Sequence, residues 1–231
     1  MKHLNKNRHS IVAKGFTLVE LLVTLSVFTV VSAVTLANYP KFNNQTAITA
    51  LAQQIAISIR EAQVYGVAVK NSSTTASVVA QNVYPAYGIY FATTTASTTY
   101  GSGTSYSVFF DKVTGTGPAP YFKPIGDDYF TDLSELVETV RIQNGNRIIG
   151  LCGVELTPPG NTTCVPAYWA NVVFRRPNPD AIIKIVKTNT LWPSGSPTLV
   201  EVSRLDITIR SRDQSLTKVI QIYSSGQINV K

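Results

Sequence analysis

Residues 15–37 read GFTLVELLVTLSVFTVVSAVTLA, and the way this stretch is read decides everything that follows it. From Phe16 to Ala37 it holds 22 residues and one charge, Glu20. As an α-helix rising ~1.5 Å per residue the block is ~33 Å long. That length crosses a bilayer core of ~30 Å. The residues before Phe16 include Lys2, Lys6, Arg8 and Lys14 and no acid. By the positive-inside rule this asymmetry predicts a cytoplasmic start, with everything after Ala37 carried across the membrane.

The leader also accounts for most of the overall charge. The chain of 231 residues carries 20 Lys and Arg against 13 Asp and Glu, a net +7 that by itself suggests nucleic acid or an anionic surface as partner. Without the first fifteen residues the balance is 16 basic against 13 acidic, a net +3. Both histidines, His3 and His9, lie in the same leader, so its removal leaves no imidazole for base catalysis or for a metal. No GxSxG, phosphate loop or dinucleotide fingerprint occurs. An enzyme is not expected, and neither is a cofactor or a metal site. With 44% hydrophobic residues the chain can bury a core of its own.

Three readings fit residues 15–37. The first is a secretory signal with cleavage after Ala33, at Val31-Ser32-Ala33, releasing a β-domain that acts as a binding module. A plain membrane anchor is the second. The third turns on Glu20, because a carboxylate inside a membrane helix costs ~2.5–3.5 kcal/mol even on an insertion scale. Neither of the first two readings needs that acid. Thr17-x-x-Glu20 also reads as a capping box, which places the carboxylate near the positive end of the helix dipole.

The hexapeptide Gly15-Phe16-Thr17-Leu18-Val19-Glu20, followed by a long apolar run, resembles the type IV pilin and pseudopilin family. The resemblance implies cleavage between Gly15 and Phe16 by a prepilin peptidase and N-methylation of Phe16. It also implies that Glu20 pairs with the new amine of a neighbouring subunit during assembly, so that two buried charges neutralise each other. The implied partners are other pilin or pseudopilin subunits, an assembly platform, the peptidase, and the inner membrane before assembly.

Working outward, the apolar block meets Asn38-Tyr39-Pro40, where proline predicts a kink or break. Helical periodicity then resumes: Ile48, Leu51, Ile55, Ile59 and Ala62 form one stripe, ending by Gly66. Beyond Val69 short alternating runs predict strands over 77–81, 87–92, 105–110, 137–143, 147–152, 171–174, 181–186, 200–210, 216–223 and 227–230. The expected fold class is α+β, a long N-terminal helix packed on a mostly antiparallel sheet. The expected organisation is a basic leader over 1–15 and a transmembrane and assembly helix over 16–37. An amphipathic continuation over 38–66 and a β-rich extracytoplasmic domain over 67–231 complete it. Residues 93–104 read as a solvated Thr/Ser loop.

Leu51, Ile55, Arg60, Glu61, Ala62 and Gly66, together with the closing Gly226-Gln227-Ile228, resemble the GspH/FimT-like branch of the family. That branch comprises minor pseudopilins of type II secretion and minor pilins of type IV pili. The implied role is a structural minor subunit.

Three constellations remain. Cys152 and Cys164 are the two cysteines, and in an exported domain two such thiols are expected to pair. Asp127, Asp128, Asp132 and Glu135 cluster, and could do acid and base work or cap a short helix over 132–136. Arg210 and Arg212 would share a face if both lie in a strand. They then read either as phosphate contacts or as charges protecting a sheet edge. Relatives in the FimT-like branch bind DNA, which the resemblance extends to these arginines as an alternative role.

Overall fold

The computed structural model describes residues 15–68, 85–93, 102–111, 136–156, 163–187 and 199–231. The predicted strand over 77–81, most of the loop over 93–104 and the carboxylates Asp127, Asp128, Asp132 and Glu135 lie outside the described residues. The chain divides into two compact units, the first ending at Asn43 and the second running from Asn44 to Lys231.

One helix, α1 (Leu18–Val67), supplies residues to both units. Of the kink or break expected at Pro40, a break is absent, since α1 runs through that residue. Proline deprives the helix of one N–H and costs ~3 kcal/mol in an interior. Long helical stretches on both sides offset this, because propagation is cheap once a helix has nucleated.

Among the described residues of the second unit ten strands follow: β1 (Ala86–Ala92), β2 (Ser105–Asp111), β3 (Leu136–Arg141), β4 (Arg147–Glu155), β5 (Cys164–Ala167), β6 (Trp169–Phe174), β7 (Ala181–Val186), β8 (Leu199–Arg210), β9 (Thr217–Tyr223) and β10 (Ile228–Val230). Every pairing among them is antiparallel. The main path is β10-β9-β8-β7-β6-β1-β2-β3, with β4 joined to β8 and β5 to β4. The long strand β8 links two parts of the sheet. Its first residues, Leu199 to Glu201, pair with β7, while its remainder pairs with β4 and β9.

Alternation along the strands sorts residues to two faces. Ile89 and Phe91 of β1, Tyr106 and Val108 of β2, and Ala170, Val172 and Phe174 of β6 enter the main core. The interleaved Tyr90, Ala92, Phe109, Trp169 and Val173 form a second cluster on the opposite face. The predicted stripe of α1 lies on the main core, where Ile48, Leu51, Ile55, Ile59 and Ala62 are buried, joined by Ala52. Each large aliphatic side chain removed from water in this way contributes ~1.5–3 kcal/mol.

Strand β5 was not foreseen. It is four residues long and contains Pro166, which reads as a breaker, yet β5 pairs with β4 alone. Proline is tolerated on such an edge because its missing N–H is not needed there. Leu136, expected to close a short helix over 132–136, instead opens β3. The remaining described strands match their expected positions, with ends displaced by at most three residues and β7 coinciding at both ends.

Candidate processing and assembly site

Residues 15–17 precede the helix, and Thr17 caps it. Its hydroxyl accepts the Glu20 backbone N–H at 3.2 Å, and its carbonyl accepts the Leu21 N–H at 3.1 Å. This is the threonine half of the expected capping box. Glu20 stands in the first turn of α1, where the unsatisfied N–H groups favour a negative charge. Phe16 is 79% exposed and Glu20 is exposed as well. A Cβ added at Gly15 would meet nothing within 4 Å, so the chain itself sets no steric demand for glycine there.

The rest of the apolar block is a surface. Leu18, Leu22, Phe28, Val30 and Leu36 are each exposed by more than half, and Tyr39 and Phe42 continue the row. The polar side chains within it are turned back on the helix. Thr24, Ser26, Thr29 and Thr35 donate their hydroxyls to carbonyls three or four residues earlier, at 2.7–3.0 Å, and the Asn38 amide donates to the Val34 carbonyl at 2.9 Å. Satisfied hydroxyls of this kind do not require water. Between Glu20 and Arg60 the single ionisable side chain with a full charge at neutral pH is Lys41. Helix α1 is long and apolar enough to cross a membrane.

This geometry coincides with a known signature. Residues 12–36 match the family model described as the prokaryotic N-terminal methylation motif. The motif thus covers Gly15, Phe16, the Thr17 cap, Glu20 and most of the exposed apolar surface. It supports a subunit of the type IV pilin kind, and it stops before the buried stripe of α1 begins. No curated protein and no solved structure matches the chain.

Beyond the methylation motif, the C-terminal half of α1 is fastened to the sheet at positions the sequence singles out. A Cβ at Gly66 would lie 2.2 Å from the Phe174 carbonyl oxygen, so the helix can approach β6 this closely because residue 66 is glycine. Arg60 donates from Nη1 to Gln63 Oε1 at 2.7 Å and to the Gly226 carbonyl at 3.4 Å. Gln63 Nε2 donates to the Pro179 carbonyl at 2.8 Å. Gly226, with φ +78°, closes the turn between β9 and β10 in a conformation that suits glycine. Arg60, Gly66 and Gly226, separated widely in sequence, therefore act at one end of the helix. Glu61 instead accepts a bond from the Tyr65 hydroxyl, which raises the Tyr65 pKa, and the Tyr65 ring stands edge-on to Tyr87 at 5.6 Å.

Cys152 and Cys164 form a disulfide, their Cα atoms 5.5 Å apart. Adjacent strands bring them together: Cys152 faces Pro166 and Cys164 faces Val154 in the β4/β5 ladder. Arg210 ends β8, whereas Arg212 lies in the following turn with its side chain over Gly145. The shared strand face considered for the two arginines is thus not what joins them. Among the described residues no group of three His, Cys, Asp or Glu is placed to hold a metal.

The turn at Asp213-Gln214-Ser215 is legible in the sequence, but the hydrogen bonds that its carboxylate makes are not. Asp213 accepts from the Ser211 hydroxyl at 2.6 Å and the Ser215 hydroxyl at 2.7 Å. These bonds, with help from the Ser215 N–H and the Asn44 side chain, hold its pKa down from 3.8 to about 2. Asp-Gln-Ser was legible as a turn, but its reach to Asn44 on α1 had no local signal.

Proposed function

We propose that the chain is a membrane-inserted precursor cut between Gly15 and Phe16 by a prepilin peptidase. Its first helix then packs into a filament of like subunits, in which it serves as a structural minor pilin or pseudopilin. The observation that carries this reading is the exposed apolar helix behind the Thr17 cap, with its one acid at Glu20, inside the methylation motif.

Each part of the segment then has a reason. An open Gly15 gives a protease access to the scissile backbone. The self-bonded hydroxyls allow residues 16–37 to sit in lipid before assembly and against neighbouring helices after it. Glu20 receives a partner when the freed Phe16 amine of another subunit comes near it, and the pair fixes axial register. The methylation motif supports processing; the minor-subunit role draws on Arg60, Glu61, Ala62, Gly66 and Gly226, of which Arg60, Gly66 and Gly226 act where the helix end meets the sheet.

Glu20→Ala tests the assembly role. The variant should be processed like the parent, because its helix cap is retained through Thr17, and should be recovered in the membrane instead of the sheared filament fraction. Incorporation into filaments at the parent level contradicts the charge-pairing role.

A further inference from the structure

We propose that Arg147 and Arg210 form a binding site for a phosphate group with at least three free oxygens, on the face of the β4–β8–β9 sheet opposite the main core. This inference is independent of the filament reading. It begins with the strand register, in which Arg147 faces Arg210 and the next pair is Ile148 with Ile209. Both isoleucines are fully buried in the main core. Strand alternation therefore turns both arginines to the other face, with Cβ atoms ~4.5–5.5 Å apart as for any directly opposed pair.

Like charges so placed repel, and such a pair is destabilising unless something else compensates it. Nothing in the described residues does. Among the described residues neither arginine takes part in an ion pair, and the buried Nε of Arg210 has no hydrogen-bond partner there. Elsewhere on the same face the sequence does supply an acid: Asp206 accepts from Arg204 Nε at 2.9 Å and from its Nη2 at 3.3 Å, and Gln221 adds a third donor. Beside Arg210 the equivalent positions are Thr208 along the strand and Thr217 across it. Asp213, the next acid along the chain, already has both oxygens engaged by serines. Arg212 adds a third cation, its side chain lying over Gly145 two residues before Arg147.

The chemistry of the donors selects the ligand. Each guanidinium presents a planar fork that takes two oxygens. A carboxylate or a phosphodiester offers two free oxygens and fills one fork, whereas inorganic phosphate or a phosphomonoester has three or four and can fill both. Such an anion would turn the repulsion into charge-assisted hydrogen bonds and give the Arg210 Nε an acceptor.

The test uses the full chain in detergent micelles, titrated with inorganic phosphate, methyl phosphate or duplex DNA in chloride buffer of matched ionic strength. The Arg210 Nε–Hε resonance and the melting temperature are followed. Saturable movement of that resonance with inorganic phosphate, alone or also with methyl phosphate, is expected, together with a rise in melting temperature. Response to both assigns the shared phosphate chemistry, and response to inorganic phosphate alone assigns the free ion. Arg147→Gln should melt no lower than the parent in chloride, since a repulsion is removed, and should lose the phosphate response. Arg210→Lys keeps the charge without the fork and should weaken binding at least tenfold. The proposal is overturned if the resonance does not move, if phosphate raises the melting temperature of parent and Arg147→Gln equally as a general salt effect, or if duplex DNA alone elicits the response.

Discussion

Gly66 and Asp213 show how single residues hold the second unit together. Because a Cβ at Gly66 would fall 2.2 Å from backbone, with no flexible side chain to yield, Gly66→Ala must push α1 away from β6. Overpacking of this kind costs ~1–3 kcal/mol, despite the better helix propensity of alanine. Urea unfolding of the Gly66→Ala chain should show that loss, and a midpoint equal to the parent's would remove the close-approach argument. Asp213 acts through its charge. Its pKa is lowered in the folded chain, so its contribution is present above the ordinary carboxylate value of 3.8 and is lost as pH falls toward about 2. Across that window Asp213→Asn should lose less stability than the parent, as read by urea midpoints at successive pH values. Identical pH profiles would contradict the role of the Ser211 and Ser215 bonds.

At the scale of elements, legibility followed the range of the forces involved. The stripe Ile48, Leu51, Ile55, Ile59 and Ala62 could be read because a period of 3.6 is a local property, and all five are buried. Strands β1, β7 and β8 were readable through their β-branched and aromatic content. Pro40 does not break the helix, because the penalty is local while the cooperativity that absorbs it extends along the whole of α1. Strand β5 escaped the local pattern, since the tolerance of its Pro166 depends on β5 being an edge, a property of sheet order. The register that opposes Arg147 to Arg210 is likewise absent from any local pattern: 63 positions separate two residues that stand side by side. The cysteine pair could be anticipated from compartment and count. Its stabilising effect belongs to the β4/β5 hairpin: with a sequence separation of 12 between the cysteines, the chain-entropy relation gives ~3 kcal/mol. The double variant Cys152→Ser, Cys164→Ser should lose about that amount in denaturant unfolding. A loss below a few tenths of a kcal/mol would mean that the strands alone define the hairpin.

Over the whole molecule, the second unit has a buried core and a fastened helix end, whereas the first is an exposed apolar helix preceded by a capped start. The apolar block was plain in the sequence, because 22 residues with one charge can be recognised without any tertiary information. Two proteases would treat the segment differently. A peptidase acting at the methylation motif removes the basic residues and keeps the apolar helix for assembly. Cleavage after Ala33 would discard most of that helix and release the second unit.

The mass and sequence of the N-terminus of the protein purified from its own host distinguish these outcomes directly. The account predicts a mature chain that begins at Phe16, with one added methyl group on its amine. A chain beginning at Val34 would contradict it.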